Sequence, residues 1–100
     1  MPAVSLEGHI SSGHGCFPPT ATDSGFSSKT NVEGKACQLL GLTKYIVHSC
    51  GRSVHPLPSR ITSSGSSKVN IEGKAAIRIG DSIACGDTVA QGASKVFIGG

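Results

Sequence analysis

Apolar and polar residues alternate along the stretch SKVNIEGKAAIRIGD, residues 67–81. Val69 and Ile71 would lie on one side of this stretch, with the polar residues between them on the other. A period of two is typical of a strand with one buried face. Glycine adopts positive φ readily, so Glu-Gly at 72–73 predicts a tight turn. A second strand is then expected to direct three side chains to the apolar side: Ala75, Ile77 and Ile79.

The same hairpin pattern occurs more than once. SKTNVEGKA at residues 28–36 matches SKVNIEGKA at residues 67–75, and SKVFIGG at residues 94–100 begins a third copy. Each unit has too small an apolar face to fold alone, so repeats of this kind bury their faces against one another. The pattern predicts an all-β domain of short hairpins around a pseudo-threefold axis, although a generic small β domain with a duplicated hairpin would also fit. The predicted domain spans residues 1–100, with repeats at about 24–41, 64–81 and 91–100.

Composition limits how this fold can be stabilised. The chain has 100 residues, 14 glycines and only 4% aromatic residues, so its core must be small. The net charge of +3 comes from scattered Lys and Arg, which argues against a nucleic-acid-binding surface. Neither a membrane-spanning apolar run nor a signal peptide is visible. The chain is therefore expected to be made in a cytoplasm with its cysteines reduced, where Cys mixed with His indicates metal before disulfide.

Every segment that connects the predicted repeats carries a His or Cys. In a threefold arrangement these segments converge at one end of the axis. Zn²⁺ takes four nitrogen or sulfur ligands in a tetrahedron, and it can add roughly 10–16 kcal/mol of apparent binding energy to a small domain. The residues favoured as ligands of one zinc per chain are His14, His48, His55 and Cys85.

Other candidates remain open. Cys50 is the reserve ligand in place of His48, and Cys16 is the third choice. Iron also suits a His-rich site. Cys37 aligns with Ala76 of the second repeat and is interpreted as a small buried hydrophobic residue. His9 is interpreted as a surface imidazole.

The motifs together resemble the PAAR-repeat family, whose unit reads GSxxVxINGxPAARxGDxxxCG. SKVNIEGKAAIRIGD at residues 67–81, followed by Cys85-Gly86, fits this pattern, and SGHG at residues 12–15 looks like the histidine loop before the first repeat. The resemblance covers essentially the whole chain. It also has departures: the family's proline is Ala75 here and Ala36 in the first copy, and its Arg and Asp are Leu39 and Leu42 in the first copy.

The resemblance implies a structural role. It implies a cone-shaped domain, with a metal near the apex, that sits on the blunt end of a homotrimeric β-helical spike, one tip per trimer. Such tips act in contractile injection machines, either phage tails or type VI secretion, where they pierce a target membrane. The protein would be made in the bacterial cytoplasm and then assembled in a virion tail tip or secreted with the spike. Because the chain ends soon after Ile98, any effector is expected to be a separate protein.

Two other functions compete with the spike tip. A small cytoplasmic zinc-binding adaptor would have the same metal and no affinity for a trimeric spike. A zinc hydrolase would need an open coordination position and a general base, for which Asp81 and Asp87 flank Cys85. Four protein ligands would close the site, so no enzymatic activity is expected. The contacts with a spike are not predicted from the sequence, and the outward lysines of the repeats, Lys29, Lys68 and Lys95, are expected to be solvated.

Overall fold

The computed structural model describes residues 3–98, where short antiparallel strands account for nearly all regular structure. The first strand pairs with the fourth, and the other strands pair in chain order as hairpins. A single turn of 3-10 helix, Leu57–Arg60, follows the hairpin formed by the fifth and sixth strands. The all-β prediction is confirmed, and the last two residues of the third predicted repeat lie outside the described range. The strands are β1 Thr22–Ser24, β2 Phe26–Val32, β3 Lys35–Gln38, β4 Lys44–Tyr45, β5 His48–Cys50, β6 Ser53–His55, β7 Asn70–Ile71 and β8 Lys74–Ala75.

The predicted Glu-Gly turns close two equivalent hairpins, β2–β3 and β7–β8. Glu33 and Glu72 both have φ of 53°, and the glycines that follow them have φ of 79° and 84°. Two successive residues at positive φ define the two-residue turn whose twist matches that of antiparallel strands. Both glutamates adopt this conformation, which is uncommon for a residue other than glycine.

The side chains of these two glutamates connect one repeat to another. The Glu33 carboxylate accepts hydrogen bonds from the backbone N–H groups of Ser94 (3.4 Å) and Lys95 (2.9 Å). The Glu72 carboxylate accepts equivalent bonds from Ser28 (3.1 Å) and Lys29 (3.0 Å). These backbone hydrogen bonds hold the pKa of both carboxyls below the usual value. In both cases the turn of one repeat therefore holds the Ser-Lys segment of another repeat.

Two small apolar clusters form the core of an elongated body with extents of 37 × 24 × 23 Å. The first contains residues from all three repeats and packs against Val32 and Ile71, which flank the Glu-Gly turns. The second packs against Cys85. The Glu-Gly turns are therefore flanked by residues that pack on the first cluster, whereas Cys85 packs on the second. The first cluster is Val4, Leu6, Cys37, Ala76, Ala93 and Ile98; the second is Tyr45, Ile77, Ile83 and Val89.

The strand predicted after the second turn is shorter than expected. Ile79, predicted to lie on the apolar side, is 42% exposed, whereas Ala76 is fully buried. β8 ends at Ala75, and the next residues leave the hairpin to bridge other segments: Ala76 pairs with Leu39, and Arg78 pairs with Val4. The alternation therefore stops once the backbone changes partner. Cys37 is fully buried, as its alignment with Ala76 predicted.

Gly25 offers a test of this backbone packing. It has φ of +86°, and a Cβ there would overlap the Leu42 carbonyl oxygen and lie 2.7 Å from the Leu42 carbonyl carbon. Gly73 has nearly the same φ, +84°, with open space around it. Gly73→Ala should cost about 1–2 kcal/mol for the left-handed conformation alone. Gly25→Ala should cost about 1–3 kcal/mol more, because backbone must move. Urea unfolding of both variants measures the difference, and equal losses would show that the contact with Leu42 is unimportant.

Candidate metal centre

The β5–β6 hairpin places two histidines side by side. His48 and His55 are directly opposite in the antiparallel pair, so their side chains share one face. His48 Nε2 and His55 Nδ1 lie 2.7 Å apart. His48 Nδ1 donates to the Pro18 carbonyl oxygen at 3.0 Å. Because that carbonyl can only accept, the neutral His48 ring keeps the lone pair of its Nε2 directed toward the site.

His14 reaches the same place from a tight turn. Its backbone exchanges both N–H···O=C hydrogen bonds with Phe17, at 3.1 and 2.9 Å, and Gly15 supplies a φ of +56°. The His14 ring stacks against His55, with 4.9 Å between ring centroids. Phe17 also stacks against His55, with 3.9 Å between centroids. The phenyl ring thus fixes the orientation of the imidazoles from one side.

Cys85 comes from a third segment. The chain reverses between Ile83 and Asp87: Gly86 N–H donates to the Ile83 carbonyl at 2.9 Å, and Ile83 N–H donates to the Asp87 carbonyl at 2.8 Å. This turn brings the Cys85 Sγ within 3.9 Å of His14 Nε2 and 3.8 Å of His48 Nε2. Segments distant in sequence therefore deliver their donor atoms to one point.

The four side chains have the chemistry and spacing of a metal site. One donor atom from each of His14, His48, His55 and Cys85 lies within 4.8 Å of the others. In a tetrahedral zinc site, neighbouring ligand atoms are roughly 3.3 Å apart for two nitrogens and 3.6 Å for nitrogen and sulfur, given the usual bond lengths. The two sulfur–nitrogen separations are close to this value, and the two nitrogens 2.7 Å apart would move slightly away from each other. Three imidazoles and one thiolate suit a closed, structural zinc centre.

The local electrostatics keep two of these imidazoles available as ligands. Burial lowers the pKa of His48 below its usual value, more strongly than the bond to Pro18 raises it. Burial also lowers the pKa of His55, and the nearby His14 adds to the effect. Both rings therefore favour the neutral form, which is the form that binds metal.

The metal-free protein is expected to lose stability as the pH falls below about 6.5. The folded-state pKa values of His48 and His55 lie below the ordinary value of 6.5, so the unfolded chain binds more protons as the pH falls through this window. Their contribution is fully present above pH 6.5 and is lost as the pH falls through the folded-state values. Urea unfolding in chelator, from about pH 7.5 to about pH 5, checks this window. A midpoint that rises on acidification would contradict it.

Cys16 and Cys50 form a disulfide, with 5.5 Å between their Cα atoms. The expectation that all cysteines stay reduced is therefore wrong for this pair, while Cys37 and Cys85 are free. Each bonded cysteine lies two residues after a histidine of the cluster, so bringing His14 and His48 together also brings the two sulfurs together. A disulfide across 34 residues constrains the unfolded chain by about 3–4 kcal/mol. Cys50, the reserve ligand, and Cys16, the third choice, lie outside the cluster.

From the sequence, the four favoured residues were placed in three connecting segments, and the structure brings those four together. Phe17 was not identified from the sequence, because its ring contacts depend on the folded loops. The disulfide was not predicted from the sequence either, although the His-x-Cys spacing occurs twice, at residues 14–16 and 48–50, and could have indicated it. His9, interpreted as a surface residue, is half-buried, and its Nδ1 accepts a hydrogen bond from the Leu6 N–H at 3.0 Å.

Comparison with known proteins identifies the family. The family model described as PAAR motif matches residues 5–91, which is most of the chain. The chain belongs to the PAAR family. No curated protein sequence matches it. PAAR proteins are structural tips of contractile injection systems that cap VgrG-type spikes, rather than enzymes. Over residues 3–98 of this PAAR protein, no helix has the length and apolar character needed to cross a membrane.

Proposed function

We propose that this PAAR protein is a zinc-stabilised tip that binds and sharpens the blunt end of a trimeric β-helical spike. The observation that carries the proposal is the convergence of His14, His48, His55 and Cys85, from three separate segments, into one cluster of donor atoms. A narrow point has room for few buried side chains. Binding energy of roughly 10–16 kcal/mol from a structural zinc would replace the apolar core that such a point lacks.

The surface that carries the Glu-Gly turns is proposed to face the spike. The Glu33 and Glu72 turns make equivalent contacts with the Ser-Lys segments of other repeats, and such repetition would suit a threefold partner. Phe97, 52% exposed, lies two residues after Lys95, which is bound to Glu33. An exposed aromatic residue beside a symmetric polar frame is a suitable anchor in an interface. One tip per trimer follows, because one chain supplies all three repeats.

The proposed action is mechanical. The tip would be made in the bacterial cytoplasm, join the spike of a phage tail or a type VI secretion apparatus, and be driven with it through a target membrane. The bound metal would hold the three loops together under that load, with the disulfide as a covalent tie between two of them. Any effector would be a separate protein that travels with the spike.

The spike interface can be tested by co-assembly. The purified tip is mixed with the β-helical region of a VgrG-type trimer encoded in the same genome, and the mass of the complex is measured by light scattering. The expected complex contains one tip and three spike chains.

Phe97→Glu should weaken binding at least about tenfold, because it buries a charge in the interface. Val54→Glu is the matched control: Val54 is 56% exposed but belongs to β6, next to the candidate metal ligand His55. Failure to form a complex, or equal losses in both variants, would overturn the proposed interface.

A further inference from the structure

Arg60 is a buried charged residue beside the candidate metal centre. It ends the 3-10 helix Leu57–Arg60, and its side chain is fully buried. A buried guanidinium is expensive unless its donors are satisfied and its charge is paired. Its surroundings should therefore reveal what it does.

The donors of Arg60 reach all three segments that carry the candidate ligands. Nε donates to the Ile46 carbonyl oxygen at 3.1 Å, close to His48 in sequence. Nη2 donates to the Ser11 Oγ at 3.2 Å and to the Thr20 hydroxyl, on either side of the His14 turn. Nη1 donates to the Asp87 carboxylate at 2.7 Å, in the segment of Cys85. One side chain thus connects the loops beneath the metal centre.

A further contact joins Arg60 to the site itself. Its Nη1 lies 3.3 Å from the Cys85 Sγ and donates a hydrogen bond to that sulfur. A sulfur that accepts this bond is held in one position, next to the guanidinium group. Asp87 balances the charge of Arg60, with its Oδ2 also 4.0 Å from His48 Nδ1. Groups that fix a metal ligand in this way typically change metal affinity by about 10–100-fold.

We propose that Arg60 is a positioning residue for the metal, one that holds the Cys85 sulfur in place through its Nη1–H···Sγ hydrogen bond. The proposal rests on the proposed metal site. Arg60 can do this because its planar group has several donors in fixed directions: while some hold Asp87 and the loops, one remains directed at the sulfur. Lysine has a single rotating ammonium on a shorter reach and cannot satisfy all of these acceptors together.

The chain provides a matched control in Arg78. This arginine also pairs with an aspartate, with 2.9 Å between its Nη2 and the Asp81 Oδ1, and its other acceptor is the Gly65 carbonyl oxygen. It makes no described contact with the four candidate ligands. Arg60→Lys and Arg78→Lys therefore make the same chemical change, one beside the sulfur and one away from it.

The test measures Zn²⁺ affinity by chelator competition and records the sulfur-to-cobalt charge-transfer band of the Co²⁺-loaded protein. Arg60→Lys should raise the zinc dissociation constant at least about tenfold and shift the band, because the bound sulfur loses its hydrogen bond. Arg78→Lys should leave the band unchanged and the dissociation constant within about threefold of the original. An unchanged band and affinity in Arg60→Lys would overturn the positioning role alone. A chain with its original sequence that binds neither metal would overturn this proposal together with the metal site.

A second measurement covers the case in which Arg60→Lys does not fold. A crystal structure of the zinc-loaded, unsubstituted protein should show Arg60 Nη1 within hydrogen-bonding distance of the Cys85 Sγ while that sulfur binds zinc. If the sulfur turns away from Arg60 to reach the metal, the hydrogen bond belongs only to the metal-free protein and the proposal is wrong.

Discussion

Cys85→Ser is expected to reduce bound zinc from about one per chain to almost none. The substitution removes the only free sulfur in the cluster and substitutes a hydroxyl, which is a poor zinc ligand at neutral pH. At a free zinc concentration a thousandfold above the dissociation constant, metal binding adds about 4 kcal/mol to the free energy of unfolding. Cys85→Ser should lose that amount. Elemental analysis of the purified protein and urea unfolding with and without zinc measure the two effects.

Cys37→Ser is the control for this experiment. Cys37 is the other free cysteine, and it is fully buried in the first apolar cluster. Placing a hydroxyl there should cost about 1–3 kcal/mol, since the new polar group is buried, but the zinc content should stay near one per chain. If Cys85→Ser kept its full zinc content, the four-residue site would be incorrect.

Asp87→Ala is expected to have the second large effect, a loss of about 3–5 kcal/mol in the free energy of unfolding. Burial raises the pKa of the Asp87 carboxyl, but hydrogen bonds from Ser11 and Arg60 outweigh this, so the pKa lies below the usual value. The carboxylate is therefore charged and paired with Arg60, 2.7 Å away, with both side chains fully buried. Removing it leaves an uncompensated guanidinium in the core. Urea unfolding at a fixed free zinc concentration measures the loss.

Asp81→Ala is the comparison for this variant. Asp81 forms the same type of pair with Arg78, but the Arg78 side chain keeps 16% of its exposure and water can solvate it after the change. The loss should therefore be clearly smaller than for Asp87→Ala. Equal losses would mean that burial does not determine how much the Arg60–Asp87 pair contributes to the free energy of unfolding.

The features that could be predicted from the sequence follow either from local backbone preferences or from the symmetry of the repeats. The turns at Glu33-Gly34 and Glu72-Gly73 follow from local backbone preferences, and both occur as predicted. The convergence of His14, His48, His55 and Cys85 was expected because a threefold repeat brings its connecting loops to one end. In both cases a simple rule on local geometry or symmetry was sufficient.

The features that it did not predict depend on contacts between distant segments. Arg60 is an isolated arginine in the sequence, yet its acceptors come from segments near residues 11–20, 46 and 85–87. The Cys16–Cys50 bond likewise exists only once the histidine loops have met. Ile79 was placed on the wrong side because alternation cannot indicate where a strand changes its partner. Such interactions require the folded structure.

X-ray absorption at the zinc edge of the purified protein tests the central claim most directly. A metal held by His14, His48, His55 and Cys85 should show one sulfur at about 2.3 Å and three nitrogens at about 2.0–2.1 Å. That result would establish the mixed ligand set that joins the three loops into a point. Two or more sulfurs in the coordination sphere, or a protein that folds and contains no metal, would contradict the account.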